Sequence, residues 1–106
     1  MLSHKEVEDY LLGMPDSKLD YPFGENTAVY KVNDKMFALV TEKKLPVQIS
    51  LKSDPLLAET LREKYESVMP GYHLNKKHWN TIVLTGQLPW DEVKALIKHS
   101  YDLVAN

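Results

Sequence analysis

The chain has no cysteine, a single arginine and only four glycines among its 106 residues. Without cysteine it can form no disulfide, no thiolate nucleophile and no cysteine-ligated zinc site. The glycines are spread between turns, and the sequence has no Walker loop, no G-x-G-x-x-G, no nucleophile elbow and no H-E-x-x-H. We therefore expect no cofactor and no enzymatic activity.

Long apolar runs are also missing. No stretch approaches the roughly 20 apolar residues of a membrane span, and Glu6, Glu8 and Asp9 lie where a signal peptide needs an apolar run. The composition, 43% hydrophobic and 26% charged, is that of an ordinary globular protein. We expect one domain over residues 1–106, cytoplasmic, monomeric and without a membrane partner.

The net charge of −2 is unevenly distributed and argues against a general polyanion binder. Residues 1–34 carry three lysines against seven acids. In contrast, residues 35–53 carry four lysines against one glutamate, and residues 67–90 carry two lysines and no acid. These two basic segments are also the strand-rich ones, so the sequence predicts a polarised surface.

Three helices are predicted from caps and apolar periodicity. Ser3 and Glu6 fit a capping box at the start of the first helix, and Gly13 with Pro15 ends it. Asp54 before a proline starts the second helix. The apolar face of the second helix is predicted to be Leu57, Ala58, Leu61 and Tyr65. The buried stripe of the last helix is predicted to be Val93, Leu96, Ile97, Tyr101 and Val104.

About five strands are predicted, which gives an α+β fold with a mainly antiparallel sheet in two hairpin-based wings. Alternation predicts strands over residues 27–32, 36–41 and 45–52. A second hairpin is predicted from residues 72–74 and 79–85, with Asn75-Lys76-Lys77 at its tip. The helices are N-terminal, mid-chain and C-terminal.

The segment over residues 71–81 is the densest functional candidate, with two histidines, two lysines, two asparagines and two aromatic residues. With a two-residue loop at Asn75-Lys76, His73 and His78 would lie opposite each other and could share a metal or a phosphate. A three-residue loop would separate them, and two nitrogen ligands alone are a weak metal signal. The other interpretation is a solvated tip with Trp79 in the core.

Lys43-Lys44 forms a second basic turn. If it shared one face with Lys76-Lys77, the two tips could straddle a phosphate backbone without reading sequence. The lone arginine, Arg62, argues against base-specific readout. The sequence therefore predicts weak, sequence-tolerant DNA binding by these four lysines.

Two other clusters carry no functional prediction. On a helix, His99, Ser100 and Asp102 point in different directions, so we interpret them as surface and cap residues rather than as a catalytic triad. The acidic residues near the N-terminus are interpreted as solvated carboxylates. They are Glu6, Glu8, Asp9, Asp16 and Asp20.

Five runs are distinctive together: Y-P-F-G at 21–24, K-M-F-A-L at 35–39, L-K at 51–52, G-Y-H-L-N-K-K-H-W-N-T at 71–81 and H-S-Y-D-L-V at 99–104. In order and spacing they resemble the MmcQ/YjbR family of small bacterial proteins, over nearly the whole chain. The resemblance implies an α+β fold similar to the CyaY/frataxin arrangement, described as a double wing and labelled predicted DNA-binding by fold analogy. It implies no reaction or substrate.

The resemblance also places five site candidates in the family's signature: His73, Lys76, Lys77, Trp79 and Asn80. In this hypothesis the lysines contact phosphate, Asn80 offers an amide hydrogen bond, and Trp79 either stacks on a base or anchors its strand. Two alternatives stay open. A frataxin-like fold motivates a metal or small-ligand binder that uses the acidic first helix, and the near-zero net charge permits a protein-interaction module.

Overall fold

The structure, a computed structural model, describes residues 2–71 and 74–106. The elements follow one another as α1 (His4–Leu12), β1 (Lys18–Asp20), β2 (Thr27–Val32), β3 (Lys35–Thr41), β4 (Gln48–Lys52), α2 (Pro55–Lys64), β5 (Val68–Pro70), β6 (Trp79–Val83) and α3 (Trp90–Ala105). Among the described residues, no helix is long and apolar enough to cross a membrane.

The strands form one six-stranded sheet in the order β1-β2-β3-β4-β6-β5, and every neighbouring pair is antiparallel. The predicted α+β class is confirmed, with one strand more than expected. The added strand is β1, whose three residues Lys18, Leu19 and Asp20 are too few and too polar to show an alternating pattern.

All three helices contribute to one core on one face of the sheet. Helix α3 contacts β2, β3 and β4, whereas α2 contacts β5 and β6. The strands turn alternate residues into this core, including Ile49 and Leu51 of β4. A bulge in the β2–β3 pairing adds Phe37 beside Ala38, so both are buried. The opposite face carries a smaller cluster of Val29, Leu39 and Trp79.

The predicted helix signals are confirmed. Ser3 and Glu6 form the capping box of α1, and the Asp54 carboxylate accepts the Leu56 N–H at the start of α2. In α3, Val93 and Ile97 are fully buried. The caps define where α1 and α2 begin, and the two buried residues turn α3 towards the core.

The second hairpin differs from the prediction. The partner of β6 is β5, with Val68 opposite Ile82 and Pro70 opposite Asn80, so the loop between them spans residues 71–78. A two-residue loop at Asn75-Lys76 is therefore wrong. Of the predicted arm, residues 72–74, Leu74 lies in no strand, and Tyr72 and His73 lie outside the described residues.

The strand predicted over residues 45–52 begins only at Gln48. Val47, Ile49 and Leu51 are buried, but Leu45 is 70% exposed. The chain turns before it, with Lys43 in the left-handed region at φ 59°. The apolar alternation thus begins three residues before the strand, and its first member, Leu45, lies on the surface.

Candidate nucleic-acid interface

The loop over residues 71–78 is held by its own backbone. Gly71 donates its N–H to Trp79 O at 2.8 Å, and Trp79 donates to Asn75 O at 2.9 Å. The Asn75 side chain accepts the Lys77 N–H at 2.9 Å. A Cβ on Gly71 would lie 2.9 Å from the Trp79 Cβ, so only glycine allows the backbone at residue 71 to approach Trp79 this closely.

Arg62 of α2 braces the same loop, a role that the sequence analysis did not foresee. Its Nη1 donates to Lys76 O at 2.8 Å and to Asn80 Oδ1 at 3.0 Å. Asn80 in turn donates from Nδ2 to Ala58 O at 3.0 Å. The guanidinium therefore links α2, β6 and the loop, and it holds the backbone at Lys76 in place.

Two of the predicted contact residues, Asn80 and Trp79, are buried instead. Asn80 is 1% exposed, and both ends of its amide are occupied by protein partners. Trp79 is 8% exposed and packs with Val29 and Leu39. Of the two roles open for Trp79, this position favours the anchor. Neither side chain is presented to a nucleic acid.

The histidine pairing rests on His73, which lies outside the described residues. His78 is half-buried, and its carbonyl accepts the Ser53 N–H at 2.7 Å. Among residues 2–71 and 74–106 there is no group of three or more His, Asp or Glu side chains placed to hold a metal ion.

Four lysines gather at the end of the sheet where β4 finishes. Lys52 ends β4 and lies opposite Trp79, the first residue of β6, so Lys76 and Lys77 stand just beyond it. Lys35 begins β3, which runs antiparallel to β4 and therefore starts at this same end. With strands spaced about 4.8 Å apart, the backbones of β3 and β6 lie roughly 10 Å from each other. We call Lys35, Lys52, Lys76 and Lys77 the basic rim.

The charges of the basic rim are not neutralised by ion pairs. None of its lysines lies within ion-pair distance of an acidic side chain in the described part of the chain. Lys35, Lys76 and Lys77 are exposed and Lys52 is half-buried. Lys76 Nζ donates one hydrogen bond to Gly71 O at 3.2 Å, which leaves two of its three N–H donors for a ligand.

An adjacent cleft does not extend this basic surface. It has a volume of about 450 Å³ and is lined by Lys18 and Lys31 but also by Asp16, Asp20 and Asp34. Lys31 is paired with Asp20 at 3.3 Å. The hydrogen bond from the Tyr21 N–H, with Lys31 nearby, lowers the pKa of Asp20, so this carboxylate stays ionised and opposes an anion there.

Lys43 and Lys44 lie at the other end of the sheet. They precede Gln48, the first residue of β4, whereas Lys76 and Lys77 are beyond Lys52, its last residue. At about 3.3 Å per residue, β4 alone separates the two pairs by roughly 13 Å. The structure does not bring the two lysine pairs together, since β4 and β6 are antiparallel and their loops emerge at opposite ends.

The surroundings of Lys43 and Lys44 are mixed in charge. Tyr21 donates its hydroxyl to Glu42 Oε1 at 3.4 Å. Partial burial, with the nearby carboxylates of Glu42 and Glu8, raises the pKa of Tyr21. Carboxylates thus accompany the lysines at this end of the sheet.

The serine of the rejected triad is buried, so the surface interpretation was wrong for it. Ser100 is 0% exposed; its hydroxyl donates to Phe37 O at 2.6 Å and accepts the Lys52 N–H at 2.9 Å. It bridges β3 and β4 one residue beyond the last paired position, Ala38 with Leu51. His99 Nε2 accepts the Asp54 N–H, and Asp102 pairs with Lys98. The three side chains hold different partners and do not form a triad.

The chain is similar to known bacterial proteins over nearly its whole length. The family model described as YjbR matches residues 12–103. The Escherichia coli K12 protein YjbR is 36% identical over 101 residues, covering 95% of this chain and 86% of that protein. YbdF of Escherichia coli O157:H7 is 34% identical and covers 97% of this chain and 84% of that protein.

Solved structures agree with the fold. The crystal structure of Deinococcus radiodurans protein DR2400 is 37% identical, with a TM-score of 0.94 over 100% of this chain and 80% of that chain. A Pseudomonas syringae crystal structure is 32% identical, with a TM-score of 0.83 over 97% of this chain and 99% of that chain. The names of these relatives state no activity and no ligand.

Proposed function

Because the chain belongs to the YjbR family and its relatives' names state no activity, we propose its function from its own surface. The protein binds the phosphate backbone of DNA weakly and with little regard to sequence, through the basic rim of Lys35, Lys52, Lys76 and Lys77. The observation that carries the proposal is the gathering of these four lysines at one end of the sheet without ion pairs to described acidic residues.

Tolerance of sequence follows from which side chains are engaged. Reading a base edge takes a bidentate group such as arginine or asparagine. Arg62 is committed to Lys76 O and Asn80, and the Asn80 amide is buried. The rim then offers only lysine ammonium groups, which act as point charges towards phosphate and position a protein without specifying sequence.

The affinity of such a surface depends steeply on salt. Four phosphate contacts release counterions and give a slope of log K against log salt of about −3.6. We expect Lys76→Ala/Lys77→Ala, which removes half of these contacts, to flatten the slope to about −1.8. Fluorescence anisotropy with a labelled duplex, from low to moderate salt, measures both values.

The chain offers a matched control in its second lysine pair. Lys43→Ala/Lys44→Ala removes the same charge at the opposite end of the sheet and should leave the slope near that of the wild type. No binding even at low salt, where attraction is least screened, would overturn the proposal. Equal flattening by both double variants would show net charge alone to be responsible.

A further inference from the structure

The cleft beside the basic rim is lined by side chains of both charges, some paired and some unpaired. Its volume of about 450 Å³ lies in the range of small-molecule sites. Lys31 and Asp20 are paired with each other at 3.3 Å. Asp16, Lys18 and Asp34 line the same cleft and make no ion pair within the described part of the chain. We call this site the mixed-charge cleft, and it presents two unpaired carboxylates and one unpaired ammonium group.

The two unpaired carboxylates are carried by segments that are fixed to the same helix. The Tyr101 hydroxyl of α3 donates to Pro15 O at 2.5 Å, one residue before Asp16. In the turn between β2 and β3, Asn33 precedes Asp34 and donates from Nδ2 to the carbonyl of the last residue of α3 at 3.0 Å. The C-terminal end of α3 therefore lies beside the cleft and adds partial negative charge. Because both segments are held before a ligand arrives, binding needs little reordering of the backbone.

The charges of the mixed-charge cleft select against simpler ligands. A simple anion is opposed by its three carboxylates, two of which are unpaired. A metal ion finds no three His, Asp or Glu side chains placed to hold it within residues 2–71 and 74–106. A plain diamine fits the two unpaired carboxylates but is repelled by the Lys18 ammonium group. The matching ligand carries two ammonium groups and one carboxylate.

We propose that the mixed-charge cleft binds a small diaminocarboxylate, the chemical class of the basic α-amino acids. Asp16 and Asp34 each pair with one ammonium group of the ligand, and Lys18 pairs with its carboxylate. Leu19, which lines the cleft and is half-buried, offers apolar surface to the methylene chain between these charges. The three charged side chains are exposed, so each ion pair is screened by water. The dissociation constant is therefore on the order of 1 mM.

This site is separate from the proposed DNA contact. The lysines of the basic rim do not line the mixed-charge cleft, and the lysines of the cleft are not part of the rim. Binding of a small zwitterion can therefore be measured without DNA, and its failure would leave the DNA proposal standing.

Three ligands of similar length test the chemistry by amide NMR at constant pH and ionic strength. Free L-lysine should shift the amides over residues 16–20 and 31–34. Cadaverine lacks the carboxylate and norleucine lacks the second ammonium group, so each should bind about twofold to fivefold more weakly. Net charge cannot produce this order, because the protein has a net charge of −2 and cadaverine is the most positive of the three. Cadaverine or norleucine binding as tightly as L-lysine would overturn the proposal.

Single substitutions test the three contacts. Asp16→Asn and Asp34→Asn each remove one charge and keep a residue that tolerates the left-handed backbone at φ 59° and 62°. Each should weaken L-lysine binding about twofold to fivefold, and Lys18→Gln should weaken L-lysine but not cadaverine. Glu63→Gln, at an exposed position on α2, is the matched control and should change nothing. The proposal fails if L-lysine gives no saturable shifts at the cleft well above the expected dissociation constant, or if Glu63→Gln weakens binding equally.

Discussion

Two Lys-Lys pairs of the same composition occupy the two ends of β4 and make different surfaces. Lys76 and Lys77 follow a loop braced by Arg62, beside two further lysines and without ion pairs to described acids. Lys43 and Lys44 follow Glu42, which the Tyr21 hydroxyl contacts, and precede the exposed Leu45. The same dipeptide thus has different surroundings at the two ends.

The difference teaches that the neighbours of a charge, set by strand register, decide what it can bind. Along the chain the two pairs fall in two segments that are both basic. In the folded protein, only the second pair is joined by lysines from other strands, Lys35 and Lys52.

Shortening a core side chain should destabilise the whole fold, and with it both ends of the sheet. Ile97 is fully buried in α3, so Ile97→Ala removes apolar contacts, leaves a cavity and should cost about 2 to 5 kcal/mol of unfolding free energy. The midpoint of denaturant unfolding measures the loss. Leu103→Ala on the same helix is the control, since Leu103 is 44% exposed and should change stability little. An unchanged midpoint for Ile97→Ala would mean that α3 is peripheral to the core.

Removing Asn80 should loosen the basic end alone. Asn80→Ala leaves Ala58 O without its buried partner and takes one acceptor from Arg62, which should cost about 1 to 3 kcal/mol. Hydrogen exchange at the His78 and Trp79 amides should speed up, while exchange at the Glu42 amide should respond only to the global loss. Asn26→Ala, at an exposed position, serves as the control. Equal local acceleration at both ends would contradict a separate brace.

Ser100 tests the junction behind Lys52. In Ser100→Ala, Phe37 O and the Lys52 N–H lose their shared partner, and we expect a loss of about 1 to 3 kcal/mol in thermal or denaturant unfolding. Ser67→Ala is the comparison. The Ser67 hydroxyl is buried without a hydrogen-bond partner among the described residues, so its removal should be nearly neutral. If the two variants lost the same stability, the bridging role of Ser100 would be refuted.

The smallest effect is expected at Asp20, whose carboxylate accepts the Tyr21 N–H. This bond and Lys31 lower its pKa from the ordinary value of 3.8. The carboxylate therefore stabilises the fold above about that pH, and the contribution is lost as pH falls through the lowered pKa. Wild type and Asp20→Asn should differ slightly in melting temperature at neutral pH and converge in acid. A difference that grows in acid would contradict this sign.

The sequence predicted the parts of the fold that depend on local chemistry. Caps at Ser3 and Asp54, the buried stripe of α3 and the first hairpin are confirmed, because each rests on residues a few positions apart. The predicted partner of β6 was wrong, because the pairing of Pro70 with Asn80 depends on contacts across an eight-residue loop. The strand β1 was missed because an edge strand of three residues needs no apolar alternation.

The candidate site was predictable in part. Lys76 and Lys77 are exposed as expected, but the partnership with Lys35 and Lys52 follows from strand order, which no local pattern contains. Asn80 was predicted as a contact because it falls in the signature run of the family, whereas its neighbours in space make it a buried brace. The sequence offers one signal for the role of Arg62, which is that it is the single arginine of the chain. A lone arginine is equally compatible with an exposed position.

The difference between the two ends is tested most directly by amide NMR of the wild type during titration with a short DNA duplex. At fixed protein concentration, the account predicts shift changes at the amides of Lys35, Lys52, Lys76 and Lys77, and none over residues 22–26 and 42–47. Changes that are strongest around Lys43 and Lys44, or equal at both ends, would contradict it.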